Sequence, residues 1–494
     1  MTRDMNENQM PHGERTAWRN PLNWPTGIWV LIAGSLVMSL PFMIRTAMLY
    51  GISDMPEPFD VVEFTKWDVP EEDNAFTDYR LAVEMKSKLG TIDIPWSVEQ
   101  AMNRPWPESE EALSDDTLLA WMQVHRESLE VWRRGTAQQK ARYMSPLRMS
   151  STTPLHVIQE QLNFALLAAI EVRRCLKKNE LDEAFRWGLA ILRAGGHTTF
   201  RGNLIQGIVG SALHEMAAIS IQKWAEHPEV TSAQLMSALA TIRQDELLYE
   251  SASNILKAEY LSVQNTLTSG EWRETPSPSG GPKSGFTSAA MYFAMWVMGE
   301  PDVTRRLYRQ MIANYLREID KPISRRTERV GSSELNLFET DPAFPLLLGQ
   351  MKPREIDLQS KRSFMVKQLM PATKNIDIDE VILRRRVRQS VLETLLAVKA
   401  YQHDNCEFPA EIADITPKYL DRIPQDDFHQ MGGTLRYFRD PCQRAAVWSV
   451  GPDGIDEQGR VLAASPPNFA SEKTRLSDFI RRKAQSPDIG FWFR

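Results

Sequence analysis

The chain has 494 residues, enough for two or three domains, and its charged and hydrophobic fractions of 25% and 42% are ordinary for globular protein. Its formal net charge of -6 argues against a nucleic-acid partner, because such partners are bound through a basic face. The three cysteines form no CxxC pair, which argues against a structural zinc site.

The first predicted element is a membrane anchor. An uncharged apolar stretch runs from Thr26 to Ile44. At about 1.5 Å per residue, a helix of this length just crosses a hydrocarbon core of about 30 Å. We therefore expect a tail over residues 1–25 and one transmembrane helix over residues 26–50. A cleaved signal peptide is the alternative, but Arg45 follows the apolar run where a small-residue cleavage site would be expected.

The flanking charges predict the orientation of this anchor. The N-terminal flank carries three arginines, whereas no Lys or Arg occurs over residues 46–65. The positive-inside rule then places the tail in the cytoplasm and the main body on the outer side of the inner membrane. The arginines of the tail are Arg3, Arg15 and Arg19.

Residues 51–113 are rich in proline, tryptophan and acidic residues. Prolines at this density prevent long helices, so we expect an extended strap that lies over the body. One short helix is predicted within it, from Asn74 past Lys88, because Ala75, Tyr79 and Ala82 recur on one helical face.

Residues 114–375 are predicted to form an α-helical domain of antiparallel hairpins. Pro154 opens one helix, and the Gly195-Gly196 pair is expected to stop another. Two further helices are expected over residues 204–226 and 231–267, because their apolar residues recur with helical periodicity.

A Pro/Gly/Ser-rich segment at residues 269–288 predicts a flexible loop within this domain. The apolar segment Ala289 to Gly299 follows it and is too short to span a bilayer. We expect a buried or interfacial helix there.

The remaining residues, 376–494, change from one amphipathic helix to short strands and turns. Their motifs resemble, in order, the C-terminal part of the major pseudopilin of type II secretion. This resemblance implies a small α+β module in which one helix packs on an antiparallel sheet. The motifs that carry it are Ala400-Tyr401, Phe408-Pro409, Pro417 with Tyr419-Leu420, Ile423-Pro424, Leu435-Arg436-Tyr437, residues 449–454 and Asp488-Ile489-Gly490.

The chain departs from a pseudopilin at its start, where it lacks the prepilin leader and the continuous helix with a glutamate near the cleaved end. Polymerisation is therefore not implied. The segments EPFD, VPEEDNAF and VWRRGT also resemble a group of bacterial single-span membrane proteins, uncharacterised in activity. Members of that group join a helical body to the same pseudopilin-like end.

The pseudopilin resemblance implies a calcium site, since a Ser-x-Gly-x-Asp-Gly loop helps to cage Ca²⁺ in calcium-binding members. The ligands here would be the Val450 carbonyl and the carboxylates of Asp453 and Asp456, with Glu457 adding charge. The alternative is an Asp-Gly turn that joins two strands without a metal ion. The later acidic ligand of the family is not evident in this sequence.

No sequence motif of a known catalytic site is present: the chain lacks HExxH, GxSxG, a P-loop and GxGxxG. His156 with Glu160, and His214 with Glu215, are the candidate helix-borne pairs. Such pairs are more often structural contacts than metal or catalytic sites. A basic run of four arginines could bind an acidic partner or lipid headgroups, or form a solvated helix face: Arg384, Arg385, Arg386 and Arg388.

Outside the cytoplasm, Cys406 and Cys442 could form a disulfide and leave Cys175 free, or all three could be thiols. The sequence as a whole favours a mainly α-helical, membrane-anchored extracytoplasmic protein. Its expected role is structural, as a non-enzymatic scaffold that binds protein partners in the cell envelope. The alternative function is an extracytoplasmic hydrolase that uses the helix-borne histidines and glutamates.

Overall fold

The computed structural model describes residues 26–89, 116–273, 285–330, 337–339, 346–363, 365–366, 378–440, 444–459 and 488–493. The described part is mainly helical, as the sequence predicts, and carries a small antiparallel sheet near its C-terminal end. Its α-helices are α1 (Thr26–Tyr50), α2 (Val61–Thr65), α3 (Ala75–Lys88), α4 (Asp116–Thr136), α5 (His156–Lys177), α6 (Leu181–Thr199), α7 (Leu204–Ala225), α8 (Ser232–Asp245), α9 (Ala252–Ser269), α10 (Gly285–Val297), α11 (Asp302–Tyr315), α12 (Pro353–Ser360) and α13 (Ile378–Asn405).

The strands form two antiparallel sheets. A two-residue ribbon pairs β1 (Arg329–Val330) with β2 (Leu337–Phe338). A three-stranded sheet has the order β3 (Arg436–Arg439), β4 (Ala445–Ser449), β5 (Ile489–Phe493), with β4 in the centre. Every residue of β4 is buried, because α13 contacts this sheet through β4 and β5.

Among the described residues, two helices are long and apolar enough to cross a membrane by length and composition. None of the apolar window of α1 is buried, and this helix contains the proline of the predicted anchor, Pro41. In contrast, 89% of the apolar window of α7 is buried. The helix α7 is therefore the central helix of the body, packed against α5, α6 and α13.

The predicted helix boundaries are wrong at two places. The Gly195-Gly196 pair lies inside α6, which continues to Thr199. The chain then leaves the helix at Arg201, whose φ of 49° is left-handed. The single helix expected over residues 231–267 is instead two helices, α8 and α9, separated by a short turn after Asp245.

The predicted strap contains more helix than expected where it is described. Asn74 caps α3 by accepting a hydrogen bond from the Phe76 amide, at 3.1 Å, so the predicted helix is confirmed. Its buried face packs against α4. The later part of the strap, residues 90–113, lies outside the described residues, as does most of the predicted loop, residues 274–284.

One hydrophobic core joins the helical array to the C-terminal module. The helix α13 packs against α7 and α8 on one side and against β4 and β5 on the other. Its buried side chains Val391, Leu395 and Val398 belong to the same core cluster as Leu213 of α7 and Val447 of β4. The helix therefore stabilises both parts of the molecule.

Candidate functional site

The end of the body next to α1 carries a charged cluster that holds the end of this helix. We call it the anchor clamp and define it by Arg45 of α1 and by Asp302, Arg306 and Arg309 of α11. Positions 302, 306 and 309 recur at helical spacing, so one face of α11 presents all three side chains to the chain that leaves the anchor. These residues lie far from the anchor in sequence.

Arg45 joins the last turns of α1 to the body. Its guanidinium forms an ion pair with Asp302 and donates a hydrogen bond to the Trp296 carbonyl at 2.7 Å. The same guanidinium lies 5.1 Å from the centroid of the Trp296 ring, which also contacts Phe42 edge to face. Arg45 is only partly exposed, so these charge-assisted contacts are shielded from water.

Arg306 and Arg309 hold the backbone that follows the anchor. Arg306 donates to the carbonyls of Leu49 and Ile52, at 3.0 and 3.1 Å. Arg309 donates to the Met55 carbonyl at 2.7 Å and forms an ion pair with Asp54 at 3.1 Å. Leu49 lies in the last turn of α1, and Ile52 and Met55 follow the helix, so these bonds hold carbonyl groups at and just beyond its C-terminal end.

A second contact network extends the clamp to Glu57. Arg309 forms an ion pair with Glu57 at 2.8 Å and donates to the Tyr260 hydroxyl at 3.1 Å. The Tyr260 hydroxyl in turn donates to Glu57. Burial raises the pKa of Tyr260, so the phenol stays protonated and can act as that donor.

Apolar packing completes the junction. Ile52 is buried with Val303 and Leu307 of α11, and Met48 and Leu49 of α1 pack against this cluster. The end of α1 is therefore fixed by charge, by backbone hydrogen bonds and by apolar contacts. This arrangement can keep the anchor helix in one position relative to the body.

Sequence reasoning missed the clamp. Asp54 and Glu57 lie in the predicted strap, where the sequence indicates no partner for them. Their pairing with Arg309 depends on a helix some 250 residues later, which no local pattern links to them. The available signal is the spacing of Arg306 and Arg309 directly after an apolar segment.

The two predicted His-Glu pairs lie on different helices and their glutamates have cationic partners. His214 is buried in α7, with its Nε2 atom 3.0 Å from the Gln389 side-chain oxygen, and Glu215 pairs with Arg388 at 3.6 Å. His156 begins α5 and is exposed, whereas Glu160 pairs with Lys86. His214, Glu215 and Glu160 thus lie in contacts between elements.

The predicted calcium ligands lie in the loop after β4. The Val450 amide donates to Asp426, and Asp453 accepts from the Ile455 amide at 3.0 Å. Asp456 accepts from the Trp448 indole at 3.0 Å and lies 3.3 Å from Arg436. Across the described ranges, no group of three or more His, Cys, Asp or Glu side chains could hold a metal ion. The calcium site stays a prediction.

The four arginines of the basic run on α13 form internal contacts. They form neither a solvated helix face nor a free basic surface. Arg384 pairs with Glu380, Arg385 with Glu246 of the turn after α8, and Arg386 with Asp427 of the module. Arg388 reaches Glu215 of α7, as described above, and the Gly490 carbonyl of β5. The run therefore connects α13 to both sides of the shared core.

The cysteine predictions are tested only in part. Cys175 is buried in α5 and Cys406 is exposed at the end of α13. Cys442 lies outside the described residues, so the Cys406–Cys442 disulfide stays a prediction.

Comparisons with known proteins add no relative. No family model matches this sequence, and no curated protein or solved structure matches it. The resemblances to the major pseudopilin and to the bacterial single-span group therefore remain expectations from the sequence.

Proposed function

We propose that this chain is a single-pass protein of the inner membrane whose body stands on the outer side as a non-enzymatic scaffold. The observation that carries the proposal is the contrast between its two apolar helices. The helix α7 finds its apolar surroundings inside the body, whereas α1 has no buried residue. A 25-residue apolar helix with no buried residue is suited to a lipid environment.

The anchor clamp supports a scaffold role because it fixes the position of the body relative to α1, and so relative to the proposed membrane. A flexible linker after α1 would let the body move freely, but Arg45, Arg306 and Arg309 hold this connection at several points. A body held in one orientation presents the same surfaces to neighbouring envelope proteins. Flank charges, as in the sequence argument, favour a cytoplasmic N-terminus.

A topology map tests the membrane part of the proposal. Reporters active on only one side of the membrane are fused after residues 20 and 60. We expect cytoplasmic signal at 20 and external signal at 60, with the full-length chain retained in carbonate-washed membranes. Recovery of the intact chain in the aqueous fraction without detergent would overturn the anchor.

Affinity capture tests the scaffold part. The tagged chain is purified from gently solubilised membranes, and the matched control is Arg309→Gln, which weakens the clamp without touching α1. We expect specific envelope proteins with the parent chain and fewer with the control. Recovery of the chain alone across several detergents would count against a scaffold.

A further inference from the structure

We propose that α10 is a second membrane-contacting element, whose exposed face lies among lipid acyl chains in the outer half of the bilayer that α1 spans. This inference rests on the proposed anchoring by α1. It assigns a lipid-binding surface to a segment that the anchor clamp leaves unexplained.

The composition of α10 is the first argument. No charged residue occurs from Gly285 to Gly299, and Ala, Met and aromatic residues make up most of this segment. The helix has 13 residues, about 20 Å at 1.5 Å per residue, which is too short to span the hydrocarbon core. A helix of this length and polarity suits partial insertion beside a spanning helix.

The two faces of α10 have different neighbours. Met295 is buried, and Met291 and Tyr292 pack with it against the end of α9 and against Met365. Met298, which follows the last residue of α10, is 42% exposed. The opposite stripe of α10 is exposed and wholly apolar, and Phe293 on it is 58% exposed. Its further members are Ala290 and Ala294, which complete the helical spacing.

The position of α10 makes this stripe continuous with the anchor. Trp296 contacts Phe42 of α1, and a side chain added at Gly299 would lie 3.5 Å from Met48. Contacts therefore advance in the same direction along both helices, so α10 runs beside the last turns of α1. Phe293 stacks on the same Trp296 ring that contacts Phe42, so the exposed stripe lies next to the surface of α1.

Aromatic residues mark the level at which this surface meets water. The rings of Trp296 and Phe293 stack with 6.1 Å between their centroids. The rings of Tyr292 and Trp272 meet edge to face with 5.7 Å between their centroids. Trp and Tyr are enriched at the boundary between headgroups and acyl chains, and Arg45 lies against the Trp296 ring at the same place. This continuity with α1, together with the lack of charge, favours lipid over a second protein as the occupant.

Site-directed spin labelling tests the proposal in the full chain reconstituted into lipid vesicles. Cys406 and Cys442 are replaced by serine, and single nitroxide labels are placed on Phe293→Cys, Val37→Cys of α1 and Leu247→Cys of the body. Val37 and Leu247 are 69% and 84% exposed, so neither label is blocked by the protein itself. Collisions with oxygen report lipid, and collisions with a water-soluble nickel complex report water.

We expect the ratio of oxygen to nickel accessibility at position 293 to match that at position 37 and to exceed that at position 247 several-fold. Ala290→Cys, on the same stripe, should give the same result if Phe293→Cys disturbs the helix. Nickel accessibility at 293 with lipid exposure at 37 overturns this inference alone. Inaccessibility of 293 to both reagents also overturns it, because protein would then cover the stripe. Water exposure at position 37 overturns the anchoring proposal and this inference with it.

Discussion

Arg388 has a buried guanidinium at the meeting point of α13, α7 and β5. It donates to the Gly490 carbonyl at 3.0 Å, lies 4.9 Å from the centroid of the Phe491 ring and pairs with Glu215. Burial, with a smaller effect of Arg384, lowers the pKa of Arg388 to about 10, so it stays protonated at neutral pH. The ion pair therefore persists over the physiological pH range.

Replacing this arginine should be costly. We expect Arg388→Met to lower the free energy of unfolding by about 3 kcal/mol, because Glu215 loses its cationic partner at a site where both side chains are largely buried. Urea unfolding of the detergent-purified chain measures the change. The matched control is Arg186→Met, whose 65% exposed side chain pairs with Glu183 at 3.3 Å and should cost less than about 1 kcal/mol. Equal losses for the two variants would contradict the structural role of Arg388.

Asp488 links stability to pH. Its carboxylate is buried and accepts a hydrogen bond from the Gly459 amide at 3.0 Å. Burial raises its pKa to about 7, and the hydrogen bond and charge of Glu457 add to this rise. The folded chain thus holds the proton more tightly than the unfolded chain. The resulting stabilisation is fully present below about pH 4, the unfolded pKa of an aspartate, and is lost as the pH rises to about 7.

The variant Asp488→Asn should remove this pH dependence, because an amide mimics the protonated carboxyl group. We expect its melting temperature to exceed that of the parent chain at pH 8, with a difference that closes as the pH falls toward 4. Glu457→Gln should reduce the rise in the pKa of Asp488 but not abolish it, since Asp488 stays buried. Stability should then be lost over a narrower pH range. Thermal unfolding followed by circular dichroism across this pH range tests both. Parallel pH profiles for the parent and Asp488→Asn would contradict the raised pKa.

Single residues show why the candidate site was only partly predictable. The sequence marks Arg385 and Arg388 as members of a basic run, yet their partners Glu246 and Glu215 come from other helices. Local charge patterns indicate where cations cluster, but burial and pairing depend on the tertiary contacts of α13. The clamp arginine Arg306 has the same difficulty, because its partners are backbone carbonyls that no sequence motif reports.

At the scale of elements, α6 and α7 approach closely because glycines face each other. A side chain added at Gly210 would lie 2.3 Å from the Thr199 methyl group and 2.8 Å from the Gly195 carbonyl oxygen. A side chain at Gly195 would lie 2.3 Å from the Tyr249 hydroxyl. These glycines therefore permit close packing of two helices, which explains why Gly195-Gly196 does not end α6.

The variant Gly210→Ala tests this packing. Alanine favours a helix over glycine by about 1 kcal/mol, so an exposed site would be stabilised. Here we expect a net loss of about 1–3 kcal/mol, because the added methyl group displaces the backbone of α6. Gly207→Ala on the same helix is the control, since its methyl group would meet the movable end of Ile255 at 3.0 Å. A loss for Gly207→Ala as large as that for Gly210→Ala would count against the backbone contact, and urea unfolding distinguishes the two.

Elements were predicted best where one apolar face decides the structure. The cap at Asn74 and the buried face of α3 follow from local pattern. The length of α13 follows from it too, but the single apolar face expected for α13 is wrong, because this helix is buried between the array and the sheet. The break between α8 and α9 was missed because apolar residues continue through it, and the chain turns there to place Tyr249 against α6. Periodicity reports which face is buried, but not where a tertiary contact bends the chain.

At the scale of the molecule, the junction with α1 and the main core lie in different parts of the body. At the junction, α11 holds the end of α1 through the anchor clamp. The core lies among α5 to α8 and continues through α13 into the three-stranded sheet. Because α13 packs on both parts, the sheet and the helical array share one core.

This shared core predicts that the array and the C-terminal module unfold together. Leu395 of α13 is fully buried in the cluster that includes residues of α7 and β4. We expect Leu395→Ala to cost about 2–5 kcal/mol. Hydrogen exchange in increasing urea, read by mass spectrometry, should show peptides from α7 and β4 losing protection at one denaturant concentration, shifted equally in the variant. Leu358→Ala, at a position 53% exposed, should leave the urea concentrations at which α7 and β4 lose protection unchanged. Loss of protection in β4 while α7 remains protected would mean that the module is an independent unit and that α13 does not couple it to the array.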